Sequence, residues 1–280
     1  MALCSVLEYL SNFLLLKRWC IVPSKCNLRK LSNLMYFESL EGKTVVITGG
    51  AGGIGTTVAR KLAQIEADLL ILDVNQSRLD RLSAELSGGK SKIVALQSDL
   101  VGFEACKDLI GKAPSELIGL VHLAGVFESD DDDGVDDVVW DRAISHNLRN
   151  ARDMVIAFAE AAPDTQLGKI VLTSSLAANR GAFDHYSYTA AKAGLVGLTR
   201  AFSKRFAPKI VVNCIAPGII MTGMPDKVIA DRREKIMSEI PLKRFGEPEE
   251  VASVIMFLIS DAVSYVTGQM INIDGGTING

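Results

Sequence analysis

From Lys43 onward, seven short runs rich in valine, isoleucine and leucine recur along the chain, and amphipathic stretches separate them. The runs are Thr44–Thr48, Leu69–Asp73, Ile93–Gln97, Leu117–Leu123, Lys169–Thr173, Ile210–Cys214 and Met270–Ile273. Apolar residues fill them almost without interruption. A strand with one wet face would alternate, so these runs belong in a parallel sheet covered on both faces. Between them, Gly55–Gln64, Ser77–Leu86, Val138–Glu160, His185–Phe206 and Glu247–Leu258 carry helical patterning, with Gly88-Gly89, Pro163 and Pro208 as stop signals. This alternation predicts an α/β chain: a doubly wound parallel sheet of about seven strands, right-handed crossovers, and helices on both faces. No internal repeat or low-complexity linker interrupts residues 41–280, which are expected to form one catalytic domain.

The 48% hydrophobic content is enough for the large core such a sheet needs. A net charge of −3 gives no reason to expect nucleic acid or an anionic membrane as partner. Five cysteines (4, 20, 26, 106 and 214) are odd in number and lack metal-ligand spacing, so reduced thiols and no metal site are expected. Residues 1–40 differ in character, with Lys17, Arg18, Lys25, Arg29 and Lys30 against Glu8 and Glu38. Leu10–Leu16 is far short of the roughly 20 apolar residues that span a bilayer. Its positive charge follows the apolar run, whereas a secretory signal places it before. Two readings stay open: a transit-like leader over residues 1–34 that targets an organelle, or an extension outside the catalytic fold with translation starting near Met35. A cytoplasmic location is the default expectation.

Thr48-Gly49-Gly50-Ala51-Gly52-Gly53-Ile54-Gly55 follows the first run and opens the first helix. Glycines at such a junction let backbone amides approach a pyrophosphate, where the helix macrodipole favours negative charge. The outline is that of a Rossmann-type dinucleotide site. The glycines satisfy several spacings at once (50/52/55, 49/52/55, and 49/53/55 with Thr48), so alone they do not select a family. The second run ends on Asp73. A carboxylate there accepts hydrogen bonds from adenosine ribose hydroxyls and repels a 2′-phosphate, and no Arg or Lys lies within Gly49–Gly55. NAD is therefore expected in preference to NADP.

Tyr188 and Lys192 stand at i and i+4 within a predicted helix, so phenol and ammonium share one face. A nearby cation favours phenolate and is expected to lower the tyrosine pKa from about 10. Ser175, at the end of the fifth run, supplies a hydroxyl for the same site. The trio suits proton exchange with an alcohol or carbonyl oxygen.

Together these residues resemble the short-chain dehydrogenase/reductase family in its compact single-domain branch. Asn147, in Ser145-His146-Asn147-Leu148, falls where that family keeps a catalytic asparagine. Pro217-Gly218-Ile219-Ile220-Met221-Thr222, Gly246-Glu247-Pro248-Glu249-Glu250-Val251 and the ending Val266–Gly276 also match, so the likeness runs from about Gly42 to Gly276. The resemblance implies hydride transfer between a nicotinamide cofactor and a secondary alcohol or ketone. It makes Tyr188 the general acid in reduction and the base in oxidation, with Ser175 orienting the substrate oxygen. Lys192 would bind the nicotinamide ribose, and Asn147 would hold a water that relays protons through Lys192. Thr222 and the Ile219 amide would fix the carboxamide, and Asp99 and Leu100 would flank the adenine. The implied cofactor contacts are completed by Thr48, Gly49, Gly53, Ile54, Gly55, Asp73, Ala124, Gly125, Pro217 and Gly218. A homotetramer or homodimer is also implied.

One departure stands out: His122-Leu123-Ala124-Gly125 replaces the family's usual Asn-Asn-Ala-Gly. His122 is expected to be a hydrogen-bonded core histidine. Glu128–Asp137 is expected to be a solvated acidic loop, and Thr222–Ile240 a lid over the substrate. Leu176, Ala177, Phe183 and His185 are candidate pocket walls, and Arg232, Arg233 and Lys235 on the lid are expected to be a solvated face. The substrate is a small carbonyl or alcohol; a 3-oxoacyl thioester, a sugar, a polyol or another secondary alcohol all remain open. The longer epimerase branch needs a substrate region for which this chain has no room, and a silent NAD-binding regulator conflicts with the intact catalytic set.

Overall fold

The computed structural model describes residues 36–130, 137–222 and 233–278. The chain divides into two units, Met1–Glu38 and Ser39–Gly280. Of the first, only residues 36–38 are described, so the expected leader lies outside the described residues. The second unit contains the whole sheet and its helices.

Strands and helices alternate as β1 (Thr44–Thr48), α1 (Gly53–Gln64), β2 (Asp68–Asp73), α2 (Gln76–Leu86), β3 (Ile93–Gln97), α3 (Phe103–Ile110) and β4 (Leu117–His122). After them come α4 (Asp137–Ile144), α5 (Asn150–Ala161), β5 (Gly168–Thr173), α6 (Ala177–Arg180), α7 (Tyr186–Arg205) and β6 (Ile210–Pro217), then α8 (Arg233–Glu239), α9 (Pro248–Ile259) and β7 (Met270–Ile273). The strands form one parallel sheet in the order β3-β2-β1-β4-β5-β6-β7. Strand order reverses between β1 and β4, the place where open α/β sheets leave a crevice for ligands.

Every residue of β1 and β4 is buried, as unbroken apolar runs require. Successive side chains point to opposite faces. On one face Val46, Leu70, Leu72, Leu120 and Ile170 pack with Cys106 and Ile110 of α3, Met154 and Phe158 of α5, and Leu195 of α7. The intervening Val45, Ile47, Leu69 and Ile71 are equally buried and face the other way, where α1 packs against α2 and α9. Burying each such side chain contributes about 1.5–3 kcal/mol, so the strand ends that carry the site are held firmly.

β6 runs three residues past its expected end, because Cys214–Pro217 pairs in register with β7. The stretch expected as one helix over Val138–Glu160 is helical throughout, but Ser145–Arg149 forms a π turn between α4 and α5. There the Asn150 N–H donates to the Ser145 carbonyl, one residue further back than in an α-helix. Such turns are frequent at functional sites, and this one contains Asn147. Among the described residues no helix is long and apolar enough to cross a membrane.

Candidate active site

Parallel strands put all their carboxyl ends on one edge, and the candidate residues gather there. Thr48 ends β1, Asp73 ends β2, Asp99 and Leu100 follow β3, and Ala124 and Gly125 follow β4. Ser175 follows β5, and Gly218, Ile219 and Thr222 follow Pro217 at the end of β6. Tyr188 and Lys192 reach the same edge from α7.

The glycine turn closes tightly. Gly49 has φ +64°, and a Cβ there would lie 2.9 Å from the Ala124 nitrogen; one on Gly55 would lie 2.4 Å from the Gly49 carbonyl oxygen. Gly52 caps α1 without a side chain, so the first N–H groups of the helix have no capping partner from that residue. Thr222 leans over this end: a Cβ on Gly53 would meet the Thr222 Cβ at 2.9 Å. Asp73 turns its carboxylate back toward the loop. Its Oδ2 accepts from the Ala51 N–H and its Oδ1 from the Asn75 N–H, both at 3.0 Å. A carboxylate oxygen can accept more than one hydrogen bond, so the group still fits ribose hydroxyls, and the uncapped amides fit a pyrophosphate. The residues present therefore suit a nicotinamide dinucleotide. Ala124 donates its N–H to Thr48 Oγ1 (3.2 Å), which ties the β4 end to the β1 end. Asp99 is exposed and accepts from the Val101 N–H, while Leu100 is buried.

Lys192 is buried, and its Nζ donates to the Thr173 carbonyl at 2.8 Å. The same ammonium stands 5.6 Å from the centroid of the Tyr188 ring, so the i, i+4 pair meets as its spacing predicts. Gly125 forms the floor between this ammonium and Asn147: a Cβ there would lie 2.4 Å from Asn147 Oδ1 and 3.3 Å from Lys192 Nζ.

One expectation is corrected here. Burial pushes the Tyr188 phenol above its ordinary value, and the hydrogen bond with Ser175 only partly opposes that. The expected lowering by Lys192 does not appear, because the ammonium lies over the ring face and is directed to the Thr173 carbonyl. Burial instead pushes Lys192 down to about 8. Asn147, wholly buried, already uses its side chain. Its Oδ1 accepts from the Val126 N–H (3.1 Å), and its Nδ2 donates to the carbonyls of Val126 (3.1 Å) and Ala143 (3.0 Å). A water relay at this residue therefore has to use the main-chain groups of the π turn.

The substrate side differs in part from expectation. Phe183 is fully exposed and lines no cleft among the described residues. His185 stacks on Phe127 (centroids 4.1 Å apart), and Phe127 meets the Tyr188 ring edge to face at 4.9 Å. Sequence reasoning misses Phe127, since an aromatic residue in a loop carries no spacing signal. Leu176 joins Arg180, Ile219, Ile236, Ile240 and Leu242 in lining a cleft of about 230 Å³. Of the expected lid, residues 223–232, including Arg232, lie outside the described residues; Arg180 ties α6 to Glu239 of α8 at 3.0 Å, and Arg233 lies over the Phe245 ring at 5.1 Å.

His122 sits in the middle of the sheet with 1% of its surface exposed. Its Nδ1 lies 2.9 Å from Thr48 Oγ1, but among the described residues its Nε2 has no hydrogen-bond partner, so the core histidine is only half satisfied. Burial pushes its pKa down to about 3, with the Lys192 charge adding to the effect. In the unfolded chain the imidazole titrates near 6.5. Below that pH the unfolded state gains a proton that the native state refuses, so stability is full above pH 6.5 and falls as pH drops toward 3. The expected slope is about 1.4 kcal/mol per pH unit. Urea unfolding of the parent and of His122→Asn between pH 6.5 and 4.5 checks this. Equal slopes in both proteins would refute it.

Comparison with known proteins places this geometry among relatives. Residues 49–277 match the family model described as "Enoyl-(Acyl carrier protein) reductase". The chain is 37% identical over 246 residues to the "3-oxoacyl-[acyl-carrier-protein] reductase FabG" of Thermotoga maritima, covering 85% of this chain and 99% of that protein. It is 32% identical to an "Acetoacetyl-CoA reductase" of Synechocystis, covering 84% and 96%. Among solved structures, the "Short-chain dehydrogenase/reductase SDR:Glucose/ribitol dehydrogenase" from Brucella melitensis superposes with a TM-score of 0.80 at 34% identity, covering 86% of this chain and 98% of that one.

Proposed function

The chain belongs to the short-chain dehydrogenase/reductase family and is an oxidoreductase of alcohol or carbonyl groups; from there we propose that it uses NAD(H) to interconvert a secondary alcohol and a ketone, with Tyr188 exchanging the proton. The observation that carries this reading is the meeting of Tyr188, Lys192 and the Gly125 floor at the strand edge that also holds the glycine turn. A nicotinamide dinucleotide, when bound, supplies or accepts the hydride. Thr48, Gly49, Gly53, Ile54, Gly55, Ala124, Pro217, Gly218, Ile219 and Thr222 would hold it, with Asp73 on the adenosine ribose and Asp99 and Leu100 near the adenine.

Ser175 hydrogen-bonds the substrate oxygen and sets its direction. Tyr188, kept protonated by burial, gives its proton to that oxygen during reduction and takes one back during oxidation. Lys192 and the π turn around Asn147 lead the replacement proton inward from solvent. A protonated phenol is ready as an acid, so near neutral pH reduction finds its proton donor in place. Within this class the first substrate to try is a 3-oxoacyl thioester, since curated relatives carry that activity in their names. Residues 41–280 act as the catalytic domain, and the working form is a homotetramer or homodimer.

The test is absorbance at 340 nm with NADH and NADPH against acetoacetyl thioesters, cyclic ketones and sugar alcohols. Oxidation of neither cofactor across the panel would reject the proposal. For the cofactor, NADH is expected to give the higher kcat/KM. In Asp73→Ala, removing the charge that repels a 2′-phosphate should narrow the NADH-over-NADPH ratio about tenfold or more. A parent that prefers NADPH overturns the assignment of Asp73.

A further inference from the structure

We propose that the segment Phe127–Asp130 is a positioning strap for Tyr188, with Asp130 its anchor on the first turn of α7. The proposal rests on Tyr188 being the proton donor, and it concerns a loop that the sequence presents only as acidic and solvated.

Helix α7 begins at Tyr186, which makes Ser187 its second residue and Tyr188 its third. Its own N-cap, His185, supplies no capping hydrogen bond. Asp130 does so from across the cleft. Its Oδ2 accepts from the Ser187 N–H at 3.0 Å, and its Oδ1 accepts a short hydrogen bond from the Ser187 hydroxyl. Ser187 is fully buried, so solvent does not compete for it. An aspartate that accepts N–H groups at a helix start also carries the charge sign the macrodipole favours there.

The rest of the segment grips the same turn. The Asp130 N–H donates to the Asp184 carbonyl at 3.0 Å. Ser129 Oγ lies 3.3 Å from His185 Nε2. Phe127 stacks on His185 and presses on the ring of Tyr188. Glu128 pairs with Arg142 at 2.8 Å, which fixes the strap to α4 on its other side. Three residues of one loop, Phe127, Ser129 and Asp130, grip residues 184–188 and hold the phenol in register, while Lys192 and Ser174 hold the next turn through the Ser174 hydroxyl and the Lys192 carbonyl at 2.8 Å. Asp130 thus acts on the proton donor through the helix that carries it.

The experiment compares Asp130→Ala and Asp130→Asn with the parent, using whichever ketone the parent reduces. Misplacing a reacting group by a fraction of an ångström is expected to lower kcat of Asp130→Ala about tenfold. KM and NADH affinity should stay within about twofold, and Asp130→Asn, which keeps an acceptor for the Ser187 N–H, should recover to within about threefold of the parent. Turnover per folded molecule is counted from the melting curve, so loss of fold alone does not pass for loss of positioning. A turnover in Asp130→Ala equal to the parent's overturns the strap, as does an asparagine variant as slow as the alanine one. Amide exchange of residues 187–190 gives an answer independent of activity: faster exchange in Asp130→Ala supports the anchor, and unchanged exchange overturns it. An inactive parent with the exchange effect intact would sink the catalytic reading and leave the strap standing.

Discussion

Tyr188→Phe will fold and bind NADH like the parent, yet its carbonyl reduction will be slower by roughly a thousandfold, the range that general acid catalysis supplies. The substitution removes the phenol oxygen and its hydrogen bond with Ser175 but keeps the ring against Phe127 and Lys192, so stability should move by no more than about 1 kcal/mol. The measurement is single-turnover oxidation of NADH at 340 nm, with melting temperature and NADH fluorescence as controls. Residual activity within about tenfold of the parent, a cost of only about 1.4 kcal/mol, would remove Tyr188 from the role of proton donor. Because burial holds the phenol protonated, the reverse reaction should show the opposite pH dependence. Alcohol oxidation is expected to accelerate as pH rises into the alkaline range, while reduction slows.

The second large effect separates activity from stability. Lys192 is buried, its Nζ donates to the Thr173 carbonyl, and burial pushes its pKa from 10.5 down to about 8. The native state therefore holds the charged form at a cost of about 1.4 kcal/mol for each unit of that shift, which makes roughly 3 kcal/mol at neutral pH. Between pH 8 and 10.5 the unfolded chain binds the proton more readily, so this penalty is full below pH 8 and fades as pH rises. Lys192→Met fills similar volume without a charge, although it leaves the Thr173 carbonyl without that donor. It is expected to abolish turnover and yet raise the melting temperature by a few degrees, in the range of about 2–4 °C per kcal/mol for a chain of this size. Calorimetry at pH 7 decides the point. A lower melting temperature in the variant would mean that the ammonium is better solvated in the protein than its surroundings suggest.

The sheet is legible in the sequence because its strands are buried on both faces, so their ends coincide with the ends of apolar runs. Thr44–Thr48, Ile93–Gln97 and Met270–Ile273 are found where the runs place them. The full length of β6 is not legible, since what extends it to Pro217 is pairing with β7, a contact between distant segments. The meeting of Tyr188 and Lys192 follows from helix geometry alone and needs no partner. The direction of their pKa shifts does not, because desolvation depends on the packing around a group and leaves no mark in local spacing. The π turn is equally silent: Val138–Glu160 reads as an unbroken helix, and the wider turn depends on where Asn147 finds hydrogen-bond partners in the loop after β4. Asp130 is hidden for a similar reason. In a run of acidic residues, only the fold reveals which one faces a helix start 57 positions away.

Gly125 has a consequence for how such a scaffold changes over time. Any side chain at that position would collide with Asn147 Oδ1 and crowd Lys192 Nζ, so two separate elements are wedged against one bare backbone atom. Innovation is thereby pushed outward. Residues beyond the wedge, such as Leu176 and Ile219 along the cleft, can change and retune what is accepted without disturbing the proton-handling frame inboard. A lineage built this way can diversify its diet without reinventing its chemistry, in keeping with relatives named for acyl-carrier, coenzyme A and sugar-alcohol substrates on one shared architecture.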